Sequence, residues 1–106
     1  MELKRVGVIG SGNWGTTAAR LIAENVEKLD DFDNTVKIWV FDEKVNGESL
    51  VKIFNTAHEN VKYLPGYRLP ENLVAYADVK DICLTCNYLV FVIPHQFLES
   101  TLQEMI

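Results

Sequence analysis

Six residues near the N-terminus, Gly10-Ser11-Gly12-Asn13-Trp14-Gly15, fit the spacing G-x-G-x-x-G. Alone that pattern is weak, because six glycines in 106 residues will sometimes fall this way. Here it directly follows an apolar run, Val6-Gly7-Val8-Ile9, and opens a helical pattern, the context that gives it chemical meaning. Gly10 permits a tight turn. Gly12 lets the main chain approach a diphosphate where a Cβ would intrude, and Gly15 lets the helix lie close to the strand. N–H groups of the first helical turn then face the phosphate charge, aided by the positive end of the helix dipole. Such a site is built from backbone donors, so a chain of formal charge −5 can offer it.

A second constellation, Phe41-Asp42-Glu43-Lys44, closes another β-branched run. A dinucleotide site commonly places an acid there to accept from the adenosine ribose, about 20 residues beyond the glycines. Asp42 stands 30 residues past Gly12, and the acidic stretch Asp30 to Asn34 absorbs the surplus as a loop. Asp42 reads equally well as a ribose acceptor or as a solvated acid at a strand end. Two acids before one lysine favour NAD over its 2′-phosphorylated form. Phe41, the last residue of that strand, reads either as a core residue or as lying against the adenine face, and its place in the binding crevice favours the adenine.

Other chemistry is weaker. Cys83-Leu84-Thr85-Cys86 is a C-x-x-C, but its cysteines fall late in a predicted helix on the apolar side. A redox thiol needs an exposed sulfur at a helix N-terminus, and a zinc site needs two further ligands. Buried structural thiols are expected. His58 and His95, flanked by polar residues, read as surface hydrogen-bonding groups. No paired carboxylates, Ser-His-Asp order or phosphate-loop lysine can be defended, and no metal site is expected.

The elements that must position these residues alternate between strand and helix, the signature of a parallel sheet with crossover helices. Strands are predicted over Val6–Ile9, Thr35–Phe41, Leu73–Tyr76 and Tyr88–Ile93. Helices are predicted over Trp14–Val26, Glu48–Ala57 and Ala77–Cys86, and from Phe97 onward, with Tyr63–Pro70 as an irregular loop. The first helix is expected to bury Ala18, Leu21, Ile22 and Val26. The fold class is α/β, a doubly wound Rossmann sheet truncated after about four strands in the order 3-2-1-4. That order puts the first and fourth strands together where the winding reverses, so Pro94-His95-Gln96-Phe97 should face the glycine loop. The last helix has no stop signal, which reads as residues 1–106 being the N-terminal part of a longer protein. The outer edge of the fourth strand would then promote association.

Composition narrows the function classes. Hydrophobic residues at 48% and charged residues at 24% match a globular chain. The acids are dispersed, which argues against a nucleic-acid or anionic-membrane partner. The longest strongly apolar run, Tyr88 to Ile93, is far short of the about 20 residues of a membrane helix. A soluble, intracellular chain is expected.

Several runs are similar to one family. Val8-Ile9-Gly10-Ser11-Gly12-Asn13-Trp14-Gly15, Trp39-Val40-Phe41, His58-Glu59-Asn60-Val61-Lys62-Tyr63-Leu64-Pro65-Gly66, Leu69-Pro70 and Phe91-Val92-Ile93-Pro94-His95-Gln96-Phe97 resemble the eukaryotic NAD-dependent glycerol-3-phosphate dehydrogenases. The resemblance spans nearly the whole chain in the family's order, and the long spacing before Asp42 suits its longer first crossover. It implies a cytosolic enzyme that interconverts dihydroxyacetone phosphate and sn-glycerol 3-phosphate by hydride transfer with NAD(H). Gly10 to Gly15 would hold the pyrophosphate, and Phe41 and Phe97 would contact the cofactor. In the family the substrate-polarising lysines and the phosphate-binding arginine lie in later strands and in a helical C-terminal domain, which is also the usual dimer contact. The small phosphorylated substrate and the homodimer thus belong to a full-length protein. No catalytic residue is assigned within Met1 to Ile106, and the chain alone should turn nothing over. Two alternatives stand beside this reading: a non-catalytic NAD(H)-binding module, and the cofactor half of a related 3-hydroxyacid or 6-phosphogluconate-type dehydrogenase.

Overall fold

The computed structural model of the chain describes residues 3–10, 12–93 and 98–104. Strand β1 (Lys4–Ile9) is exposed at its first two residues and buried over its last four. Helix α1 (Asn13–Val26) leads to β2 (Phe32–Trp39), and a short hairpin, β3 (Lys44–Val45) with β4 (Glu48–Ser49), precedes α2 (Leu50–Ala57). After an irregular segment come β5 (Leu73–Tyr76), α3 (Val79–Thr85), β6 (Tyr88–Phe91) and α4 (Leu98–Glu104). The main sheet runs β5-β2-β1-β6 with every pairing parallel. In terms of its four strands this is the expected order 3-2-1-4, a Rossmann-like α/β sheet.

Strand alternation sorts the core onto two faces. Val6 and Val8 of β1, Val36 and Ile38 of β2, and Leu73 and Ala75 of β5 meet Ala19, Ala23 and Val26 of α1 and Leu50 and Phe54 of α2. On the opposite face Ile9 meets Val79 and Ile82 of α3, with Trp39, Tyr76 and Leu89 packed around them. Phe54 is fully buried, and burial of such a side chain contributes about 1.5–3 kcal/mol. Among the described residues no helix is long and apolar enough to cross a membrane.

The structure departs from the sequence reading at several points, and four of them have a definable local reason. Asp30 to Asn34 is not simply a loop, because β2 begins at Phe32. Its register against β1 jumps from Lys4↔Phe32 to Val6↔Val36. The extra residues form a bulge in which the Asp33 carboxylate accepts from Thr35 N at 2.9 Å. Second, α1 buries Gly15, Thr16, Ala19, Ala23 and Val26, while Leu21 is 55% exposed and Ala18 and Ile22 are half-buried. Close contact at Gly15 fixes the rotation of the helix, and small residues on that face allow the approach. Third, Asn46 and Gly47, both at positive φ, make the turn of the β3–β4 hairpin, with residues preferred for that geometry. Two-residue strands leave no alternation to read, so the helix expected from Glu48 begins at Leu50. Fourth, β2 stops at Trp39 and β6 at Phe91, so Phe41 lies two residues beyond its strand.

Candidate functional site

The site grows from the junction of β1 and α1. Gly10 has φ +135°, a conformation natural to glycine alone, and a Cβ there would fall 2.7 Å from the carbonyl carbon of Val92. A Cβ on Gly15 would fall 2.7 Å from the carbonyl carbon of Gly10. Among the described residues, a Cβ on Gly12 would meet nothing within 4 Å. Two glycines therefore serve internal packing, and the third faces open space where an incoming ligand can reach the main chain.

That space is a cleft of about 610 Å³ lined by Gly10, Gly12, Asn13, Trp14, Gly15, Phe91, Val92 and Ile93, a volume typical of small-molecule sites. Among the described residues no lining side chain carries a charge, so an anion held against them must rely on main-chain donors. α1 supplies them. Its N-cap is Gly12, and no side chain caps the helix. By contrast, Ser49 Oγ accepts from Lys52 N at the start of α2, and the Asp78 carboxylate accepts from Lys80 N at the start of α3. Trp14, 80% exposed, stands on the first turn of α1.

Sheet register places the remaining candidates. Ile9 pairs with Trp39 of β2 and with Phe91 of β6, so the chain beyond both neighbours emerges level with the glycine turn. Val92 N donates to Ile9 O at 2.9 Å and holds β6 against that turn. Phe41, 68% exposed, lies at this end of the sheet beyond β2, outside the lining of the cleft. Ser11 and the Pro94 to Phe97 run, with Phe97, lie outside the described residues. Asp42 takes on a local task. Its Oδ1 accepts from Ser49 Oγ at 2.6 Å and from Val51 N at 3.3 Å, which ties the chain after β2 to the start of α2. Asp42 is at the same time exposed, so its carboxylate meets solvent as well as the start of α2. Glu43, read from sequence only as one of two acids before a lysine, pairs through its Oε1 with Lys62 Nζ at 2.7 Å and accepts from Tyr63 OH at 3.2 Å. The side-chain hydrogen bond between Lys62 and Glu43, ahead of the opposing desolvation, raises the Lys62 pKa.

The weaker motifs resolve less simply. Cys83 and Cys86 are half-buried rather than buried, since α3 ends at Thr85 and leaves Cys86 in extended backbone beyond it. Desolvation raises both thiols above their ordinary value of 9.0, opposite to the activation that a redox thiol requires. His58, expected at the surface, is half-buried at the left-handed end of α2 (φ 54°), and its buried Nδ1 has no partner among the described residues. His95 lies outside the described residues. No group of three or more metal-ligating side chains occurs among the described residues.

Comparison with known proteins converges on one family. The model of the NAD-dependent glycerol-3-phosphate dehydrogenase N-terminus matches residues 5–106. A glycerol-3-phosphate dehydrogenase 1-like protein of Danio rerio is 54% identical over 95% of the chain, which covers 29% of that relative. The protein of Pongo abelii named glycerol-3-phosphate dehydrogenase [NAD(+)], cytoplasmic, is 48% identical over 99% of the chain, with 30% of that relative covered. Among solved structures, glycerol-3-phosphate dehydrogenase of Saccharomyces cerevisiae superposes with a TM-score of 0.95 at 50% identity, over 98% of this chain and 30% of that one. The chain thus spans roughly three-tenths of the length of these relatives. With the glycine cradle in place, the sheet order matched and residues 5–106 covered, the chain belongs to the family of the NAD-dependent glycerol-3-phosphate dehydrogenase N-terminus.

Proposed function

We propose that residues 1–106 are the NAD(H)-holding part of an oxidoreductase that interconverts sn-glycerol 3-phosphate and dihydroxyacetone phosphate. The observation that carries this reading is the cleft at the β1–α1 junction: uncharged walls, a helix start without a side-chain cap, and open space over Gly12. The residues present fit a dinucleotide. Main-chain N–H groups of the Gly10 to Gly15 turn bind the diphosphate, supported by the helix dipole. Asn13 and Trp14 line the same cleft, and Ser11, Phe41 and Phe97 are assigned the remaining cofactor contacts in this reading. NAD, when bound, supplies the hydride acceptor. The chain's own part is to bind and orient it.

No residue of Met1 to Ile106 is assigned a catalytic role, and the phosphorylated substrate is met by the remainder of the full-length enzyme. That enzyme is cytoplasmic and homodimeric in this reading, in keeping with the name of the Pongo abelii relative for the compartment. Titration of NADH fluorescence tests the cofactor role. The wild-type chain should shift and saturate the signal, whereas Gly12→Asp, which sets a carboxylate where the diphosphate lies, should not. Equal responses from both would remove the glycine turn from the argument. Consumption of NADH by the purified chain with dihydroxyacetone phosphate would contradict the assignment of catalysis to the rest of the enzyme.

A further inference from the structure

The segment His58 to Gly66 is absent from the described lining of the cleft, yet it bonds both to α1 and to the chain beyond β2. Asn60 has no exposed surface, and its Nδ2 donates to Thr16 Oγ1 at 2.9 Å across 44 positions of sequence. Its Oδ1 accepts from Tyr63 N at 3.2 Å, and its carbonyl accepts from Leu64 N at 2.9 Å. The amide is thus held in one orientation by its own loop before it meets Thr16. Thr16 is equally buried, adjoins Gly15, and its N–H donates to Gly12 O at 2.9 Å, the hydrogen bond that opens α1. On its other flank the same segment binds Glu43, beyond β2, through Lys62 and Tyr63.

A leucine at position 60 would satisfy the core with no polar group to desolvate. A buried amide–hydroxyl pair instead fixes a distance and an angle between two elements, and loss of either group removes that restraint. The elements joined here are the loop after α2 and the first turn of α1, where the diphosphate donors lie. We infer that Asn60, acting through Thr16, is a positioning residue that sets the main-chain donors of the first α1 turn, so that its loss weakens diphosphate binding rather than cofactor binding in general. The inference rests on the proposed diphosphate role of that turn.

Thr16→Val keeps the shape and deletes the hydroxyl, Thr16→Ser restores it, and Asn60→Leu removes the other partner. In ligand-free protein, amide NMR resonances of Gly12, Asn13 and Gly15 should move in Thr16→Val and stay near wild type in Thr16→Ser. Affinity for ADP and NADH should fall about tenfold in Thr16→Val, the size of one hydrogen bond to a charged group, while adenosine affinity is unchanged. Lower thermal stability with unmoved resonances and wild-type ADP affinity would overturn the inference, since Asn60 would then serve packing alone. So would an equal loss for adenosine. A wild-type chain that binds neither ADP nor NADH would refute the diphosphate role itself. Because the resonances are read without ligand, that failure is distinct from failure of the Asn60–Thr16 link. Should Asn60→Leu fail to fold, the two Thr16 variants carry the test.

Discussion

A single methyl group added in turn at Gly12, Gly15 and Gly10 separates ligand approach from internal packing. At Gly12 the backbone is extended at φ −69° and ψ −172°, open to any residue, and the new Cβ meets nothing within 4 Å. Alanine is a poorer N-cap than glycine by about 0.5–1 kcal/mol, while its stiffer unfolded chain returns about 0.4–1 kcal/mol. Stability should therefore stay within about 0.5 kcal/mol of wild type. At Gly15 the methyl presses on the Gly10 carbonyl, whose carbon lies 2.7 Å away. Because the obstacle is main chain on both sides, overpacking near the upper end, about 3 kcal/mol, applies. Helix propensity returns about 1 kcal/mol, so the net loss is about 2. At Gly10 the φ of +135° adds backbone strain of about 1–3 kcal/mol to a collision with Val92. The total, about 2–6 kcal/mol, is a large part of the 5–15 kcal/mol that holds an ordinary domain. In thermal melts 1 kcal/mol moves the midpoint of a chain this size by about 4–8 °C. Gly12→Ala should melt within a few degrees of wild type, Gly15→Ala about 8–16 °C lower, and Gly10→Ala lower still or not fold. NADH titration should invert the order of interest, with the stable Gly12→Ala binding at least about tenfold more weakly because its methyl occupies the diphosphate path. A Gly12→Ala protein that binds NADH like wild type, or melts as low as Gly15→Ala, would refute this division of labour.

Three further outcomes follow from contacts within the fold. Asn55 pairs with the backbone of Ala75 on the outer strand, donating to its carbonyl at 3.0 Å and accepting from its N–H at 2.7 Å. Asn55→Leu orphans both groups and should lower the urea-unfolding free energy by about 2 kcal/mol or more; an unchanged midpoint would show that water replaces the side chain freely. Asp42→Ala removes the carboxylate at the start of α2 and should lower stability by about 1 kcal/mol, with a smaller effect on NADH affinity than Gly12→Ala; the reverse ranking would favour a ribose-binding acid. Burial raises Cys83 and Cys86 above 9.0, so the folded chain holds these protons more tightly than the unfolded one. That contribution is constant below about pH 9 and declines as pH rises through and above it. Urea midpoints compared on either side of that value check the sign, and iodoacetamide should label the native thiols more slowly than those of the unfolded chain.

How much of this could be read before the structure depends on the range of the forces involved. The glycine turn was legible because its demands are local: a buried strand, three glycines and a helix start lie within eleven residues, and each spacing follows from main-chain geometry. Strand order followed from chain alternation and the constraints on parallel crossovers. Both cysteines proved less covered than their helical spacing implied, because α3 stops before Cys86. The hairpin carried a readable signal in Asn46-Gly47, but its strands are too short for a period.

Periodicity could not reveal the rotation of α1, since hydrophobicity favours burial of Leu21 while the Gly15–Gly10 contact forbids it. Nor could spacing reveal the tasks of Asp42, Glu43 and Asn60, whose side chains act on partners that only folding brings near. The sequence by itself determined that a strand, a glycine turn and a helix would present main-chain donors to an anion, because hydrogen bonding and φ/ψ sterics act between neighbours in the chain. Only the tertiary structure decided which face of α1 is buried, which acid reaches which helix end, and which loop steadies the donors. Those outcomes depend on steric contacts and hydrogen bonds between residues as many as 44 positions apart, and local sequence pattern carries no record of them.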